Sequence, residues 1–144
     1  MSTWATERLN QLMRKNVALP PVTQTLRLGA LDSWGPGWIK KSWLPHEDIL
    51  NVDGSLFGGY IAALADQALT FAAMATVPAN SVFRTLNLSM TFLRVGKAEP
   101  LMIEAQVTSQ TRQIIAVRAQ FVRPDGQLIA KASAQQFLQE SKSA

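Results

Sequence analysis

Residues 58–75 read GGYIAALADQALTFAAMA. Nearly every position is apolar, alanine recurs and no proline interrupts, which predicts one helix along the whole run. A helix apolar on all sides has to be covered, so this one is expected inside the domain. Asp66 falls in its middle. A carboxylate there costs several kcal/mol unless it is paired, hydrogen-bonded or neutral. Asp66 is therefore either satisfied by a structural partner or kept for chemistry, and the Gly58-Gly59 pair upstream favours chemistry.

Downstream of Pro78 the hydrophobic period changes. Leu86, Leu88, Met90 and Phe92 alternate with Thr85, Asn87, Ser89 and Thr91, the pattern of a strand with one buried face. Leu101, Ile103, Ala105 and Val107 repeat the alternation, and so do Ile115, Val117, Ala119 and Phe121. Pro124-Asp125-Gly126 predicts a hairpin turn into a fourth strand, with Leu128, Ala130, Ala132 and Ala134 forming a small-residue face. The short connections predict an antiparallel meander rather than parallel βαβ units. The small faces leave room for the helix, and the sheet is expected to curl round it.

Upstream, MSTWATERLNQLMRKN predicts a short amphipathic helix capped near Ser2 or Thr3 and ended by Leu19-Pro20-Pro21. Residues 25–31 (TLRLGAL) and 37–44 (GWIKKSWL) predict two strands joined by a turn around residues 33–37. The expected fold class is thus α+β, an antiparallel sheet wrapped around one long central helix. With 144 residues the chain makes one domain with a single core. Residues 1–20 form an N-terminal helix and linker, and residues 25–138 form the core.

Composition narrows the function. Hydrophobic content of 47% and charged content of 17% describe a folded protein. A formal charge of +4 favours anionic partners, including phosphate-bearing ligands. No basic block or recognisable motif points to nucleic acid. Cysteine is absent, which excludes disulfides and thiol nucleophiles and fits a reducing compartment; a cytoplasmic location is expected. The N-terminal segment has no continuous apolar core of a secretion signal. Residues 57–79 are long enough to span a bilayer, but Asp66, the many alanines and the strands that follow argue against it.

Gly58-Gly59 opens the central helix, where unpaired N–H groups and the positive end of the dipole could receive a developing oxyanion. Asp66 lies eight residues on, about 12 Å along the axis at 1.5 Å per residue. It cannot attack a carbonyl whose oxygen those N–H groups hold. If both groups act on one substrate, they come from two subunits across an isologous interface.

The run from Asn51 to Gly59, NVDGSLFGG, followed by Ala63-Leu64-Ala65-Asp66 and by TLNLSMTFLR, closely resembles the signature of hotdog-fold acyl-CoA thioesterases. The nearest branch resembles the phenylacetate-degradation type, related to the Arthrobacter-type hydroxybenzoyl-CoA thioesterases. The resemblance covers roughly residues 25–138. It implies hydrolysis of an aryl- or medium-chain acyl-CoA to free acid and CoA, by a homodimer or a dimer of dimers (a homotetramer). Asp66 would be the nucleophile or the general base for water, and the Gly58 amide would hold the carbonyl oxygen. Asn51 would orient the water or the carbonyl, and Thr85 matches a position where a hydroxyl assists from the partner subunit. Each also has a plainer reading, Asn51 as a turn residue and Thr85 as an ordinary strand residue.

The family usually has histidine where this chain has Phe57. A non-catalytic acyl-CoA or acyl-carrier-binding module is therefore the alternative, with a hotdog enzyme of other chemistry or a structural oligomer behind it. The only histidine, His46, is expected in an exposed loop, which disfavours dehydratase chemistry. No metal site and no cofactor are expected, coenzyme A being part of the substrate. Arg84, Arg94, Lys97 and Arg123 lie near strand ends where CoA phosphates could meet them. Gly59, Phe57, Tyr60 and Phe83 are expected at the substrate, the three aromatic residues as walls of an acyl pocket. One of the four tryptophans, Trp4, Trp34, Trp38 or Trp43, could join them.

Overall fold

A computed structural model describes residues 2–141. The chain opens with helix α1 (Trp4–Arg14), whose N-cap is Thr3. Thr3 Oγ1 accepts from the Thr6 amide at 3.1 Å and the Thr6 hydroxyl accepts from the Thr3 amide at 2.8 Å, a reciprocal capping box. The helix ends earlier than expected, at Lys15 in the left-handed conformation. The two prolines that were to terminate it instead begin a second helix, α2 (Pro21–Leu26). Proline at the first helical position has φ already set and needs no N–H partner. The strand expected over residues 25–31 is therefore absent. Strand β1 (Ser33–Gly35) occupies part of the expected turn, and β2 (Trp38–Trp43) follows across Pro36-Gly37, with Gly37 at φ 77°.

After a 3-10 turn at Glu47–Ile49 comes the long helix α3 (Gly58–Met74), where the apolar run predicts it. Four long strands follow, β3 (Ser81–Phe92), β4 (Leu101–Gln110), β5 (Ile114–Val122) and β6 (Leu128–Glu140). They join β1 and β2 in one antiparallel sheet of order β1-β2-β4-β5-β6-β3. Only β4, β5 and β6 form the expected meander. Strand β3 crosses to the far edge and pairs with β6, from Ser81 opposite Glu140 to Phe92 opposite Ala130. A six-stranded antiparallel sheet packed on one long helix is the hotdog arrangement that the resemblance implies.

The helix fits because the sheet is shallow beneath it. Ala105, Ala119 and Ala132 stand in register on three adjacent strands and are all buried. Leu64, Ala65, Ala68, Leu69 and Ala72 of α3 are fully buried. Side chains as small as alanine let helix and sheet close without a void. From α1, Ala5, Leu9 and Leu12 are also buried.

Two expectations are corrected here. The sheet wraps α3 as expected but does not cover it on all sides, because Gly59 and Asp66 are exposed and Ala62, Ala63, Gln67 and Thr70 are only partly covered. Nor is one face of β3 buried, since Leu86 is 56% and Phe92 52% exposed. As an edge strand, β3 has a neighbour on one side only. No helix among the described residues is long and apolar enough to cross a membrane.

Candidate active site

Asp66 lies on the uncovered face of α3, so a single chain does not bury its carboxylate, contrary to the expectation from the apolar run. Thr85 Oγ1 lies 3.1 Å from Asp66 Oδ1 and 3.0 Å from Gln136 Oε1. The residue expected to assist from a partner subunit thus contacts the acid of its own chain. A bulge between Thr85 and Asn87 interrupts the pairing of β3 with β6 at this point.

The other half of the expected machinery stands at the start of α3. Phe57 is the N-cap and its side chain makes no capping bond. Its carbonyl accepts from the amides of Tyr60 at 3.0 Å and Ile61 at 3.2 Å. The amides of Gly58 and Gly59 have no acceptor among the described residues, as befits the first turn of a helix. Gly58 opens onto a depression of about 390 Å³, lined also by Ser55, Leu56, Phe92, Arg94 and Gly96. A Cβ at Gly58 would lie 3.2 Å from the Phe92 ring, so glycine here allows the close contact.

Asn51 holds the loop that leads into this corner. Its Nδ2 donates to Ser55 Oγ at 3.0 Å and to the Leu56 carbonyl at 3.2 Å. Its own amide donates to the Ser55 carbonyl at 2.8 Å, and Leu56 in turn donates to the Gly96 carbonyl at 2.9 Å. Within one chain Asn51 is thus a loop-forming residue whose side-chain oxygen has no donor among the described residues. Asp53 accepts from the Ser55 hydroxyl at 2.6 Å and amide at 3.0 Å, and these bonds hold its carboxyl below the usual range.

The three expected aromatic walls have different surroundings within one chain. Phe57 is 55% exposed and leans over Gly59. Tyr60 is buried, its hydroxyl donating to the Leu26 carbonyl with the Arg27 carbonyl also within reach at 3.2 Å, its ring 5.2 Å from that of Trp43. Burial pushes the Tyr60 phenol up, against smaller opposing pulls from Trp43 and Arg27. Tyr60 therefore ties α3 to the end of α2. Phe83 is partly covered on β3. His46, expected in the open, is partly buried and stands edge-on to Tyr60 at 6.2 Å.

Among the basic residues, Arg94 lines the Gly58 depression, and its Nη1 donates to the Leu128 carbonyl at 2.7 Å. Arg84 is exposed on β3, Lys97 is exposed in the β3–β4 loop, and Arg123 is paired with Asp125 at 2.9 Å.

Two polar residues went unnoticed in the sequence. Lys41, at an inward position of β2, is 1% exposed. Its Nζ donates to the Leu28 carbonyl at 2.7 Å and to Gln67 Oε1, while Gln67 Nε2 donates to the Gly29 carbonyl at 2.6 Å. Burial pushes the ammonium down from 10.5 to about 8, against a smaller opposing pull from Asp32. Gln136 is fully buried at an inward position of β6. The signal for both was the strand alternation itself, which places each on the core side.

A family model described as the thioesterase superfamily matches residues 53–130, more than half of the chain. The chain belongs to the thioesterase superfamily. It is a thioester hydrolase, and the matched segment holds both the Asp66–Thr85 contact and the Gly58 corner. A phenylacetic acid degradation-related protein of Ralstonia eutropha JMP134 is 26% identical to this thioesterase, over 90% of this chain and 98% of that one, at a TM-score of 0.79. Zebrafish thioesterase superfamily member 2 shares the fold at 22% identity, with 95% and 99% of the two chains covered and a TM-score of 0.78. A protein of Streptococcus mutans UA159 bound to acetyl-CoA does so at 24% identity, over 78% and 90%, with a TM-score of 0.71. No curated protein matches the sequence.

Proposed function

We propose that this thioesterase hydrolyses acyl-CoA at a site shared between two copies of the chain. The observation that carries the proposal is the placement of the two half-sites along β3. Asp66 hangs on Thr85 in the first half of that strand, and Gly58 rests on Phe92 at its end. Antiparallel pairing of β3 with a second β3 about a twofold axis would set the Phe92 end of one strand alongside the Thr85 half of the other. It would also cover Leu86, Phe92 and a strand edge twelve residues long, an exposure that invites pairing. A dimer of such dimers is the larger assembly proposed.

In the shared site the partner's Gly58 amide receives the thioester oxygen. Asp66 acts as general base. Thr85 engages one carboxylate oxygen and leaves the other to take a proton from water, whose oxygen attacks the thioester carbon. Collapse of the tetrahedral intermediate breaks the carbon–sulfur bond, and the proton held by Asp66 passes to the departing sulfur, releasing the free acid and CoA as its thiol. Arg94, which lines the Gly58 depression, would meet a CoA phosphate. Related folds that hold acetyl-CoA, in the Streptococcus mutans protein, and coenzyme A, in a Streptococcus pneumoniae protein, support this ligand class. The likeness to the Ralstonia protein favours an aryl acyl group over an aliphatic one. The proposed location is the cytoplasm.

Phe57, standing over Gly59 where the family usually carries histidine, favours a second reading, an acyl-CoA-binding protein without turnover. Free-thiol release measured over aryl, short, medium and long acyl-CoAs, beside Asp66→Asn, separates the two. Turnover abolished by the substitution is expected. Tight binding without thiol release would establish the second reading, and no binding of any acyl-CoA would overturn both.

A further inference from the structure

Strand β6 sends Ala130, Ala132 and Ala134 toward the helix, and the next inward positions are Gln136 and Leu138. A carboxamide at such a position costs free energy unless its polar atoms are bonded. Gln136 is fully buried, with Oε1 3.0 Å from Thr85 Oγ1 and Nε2 without a partner among the described residues. Thr85 Oγ1 is also 3.1 Å from Asp66 Oδ1.

A hydroxyl has one proton and accepts through its lone pairs, so Thr85 cannot donate to two acceptors at once. An ionised Asp66 takes that proton, because the charged acceptor makes the stronger bond. The Gln136 and Thr85 oxygens would then face each other at 3.0 Å with no hydrogen between them. Turning the carboxamide over removes the conflict. Nε2 then donates one of its two N–H groups to Thr85 and Thr85 donates to Asp66, leaving one N–H and the carbonyl oxygen unpartnered among the described residues, where the first orientation leaves both N–H groups so.

We infer that Gln136 is a positioning residue, whose buried carboxamide donates to Thr85 and so aims the single Thr85 proton at the Asp66 carboxylate. The inference rests on the reading of Asp66 as general base. It gives a role to a buried polar side chain that solvent does not reach in the single chain. It also explains why an amide stands where the inward row of β6 otherwise carries alanine and leucine.

The first test needs no turnover. In the assembled protein, the Gln136 side-chain amide protons should show close magnetisation transfer to the Thr85 side chain by NMR. Its absence, with both resonances assigned, overturns the inference whether or not the protein is a thioesterase. The second test is kinetic. Gln136→Met keeps length and bulk but cannot donate, and should lower kcat about tenfold with KM unchanged. In a Thr85→Val background the same change should add less than about twofold, because the group that Gln136 aims is gone. The thermal midpoint of Gln136→Met should match or exceed that of the native chain, since an unpartnered buried polar atom is removed. A lower midpoint together with a kcat loss that persists beside Thr85→Val would mark Gln136 as structural and overturn the assignment, as would an unchanged kcat. Loss of the acyl-CoA reading itself shows differently, as thiol release missing from the native chain or surviving Asp66→Asn.

Discussion

The Thr85 hydroxyl on β3 and the Asp66 carboxylate on α3 stand 3.1 Å apart, and this contact ties the open edge of the sheet to the open face of the helix. It divides the labour between two side chains. If Asp66 takes the proton and Thr85 holds Asp66, the two substitutions differ in depth. Asp66→Asn should lower kcat by about 10²–10⁴-fold. Thr85→Val should lower it by about 10–100-fold, the worth of a hydrogen bond to a charged group. Steady-state thiol release checks both, and equal losses would contradict the division of roles.

Gly58 should separate stability from turnover. The Phe92 ring that an added Cβ would meet at 3.2 Å is 52% exposed and has room to yield. Gly58→Ala should therefore change the unfolding free energy by less than about 1 kcal/mol, helix propensity offsetting the contact. A methyl beside the free amide would crowd an incoming carbonyl oxygen. A fall in kcat of about a hundredfold, the size of a lost oxyanion donor, is expected from denaturant titration and kinetics run side by side.

Lys41 makes stability depend on pH in a defined direction. Its folded value of about 8 lies below the ordinary 10.5, so between these limits the unfolded chain binds more protons than the folded one. Stability contributed by this group therefore rises with pH across that window and is lowest below pH 8, where the buried amine must carry its charge. A neutral amine retains two N–H groups for its two acceptors, Leu28 O and Gln67 Oε1. Relative to Lys41→Met, the native chain should gain on the order of 3 kcal/mol between about pH 8 and 10.5. Urea midpoints across that range provide the measurement, and parallel curves for the two proteins would refute it.

Assembly through β3 predicts that Leu86 matters only between chains. It is 56% exposed in the single chain, so Leu86→Lys should leave the fold intact by circular dichroism. Two lysines brought together across a twofold axis repel each other and lose the apolar contact. Sedimentation should then show monomers, with thiol release lost in proportion.

The long helix and β4 to β6 were legible because their hydrophobic periods run uninterrupted for nine residues or more. The beginning of the chain was not. Pro20-Pro21 read as a stop, whereas its pre-set backbone starts α2, and a strand as short as Ser33–Gly35 offers too few residues for alternation to declare itself. Asp66 was conspicuous as the one charge in an apolar helix. Its exposure was not, because hydrophobicity marks a surface as needing cover without saying whether that cover comes from the same chain. The apolar row of β3 misled for the same reason. Lys41 and Gln136 stayed hidden because a polar residue on the inward side of a strand resembles a slip in the pattern until the atoms it serves are known.

The pairing of Ser81 with Glu140 has a further consequence. Strand β3 is translated before β4, β5 and β6, yet its hydrogen-bonding neighbour is β6, the last of these four to be made. During synthesis it must wait, unpaired, until β6 clears the ribosome. The surface through which two copies would join therefore takes shape only once β6 is in place, so partner recognition has to follow synthesis of that strand.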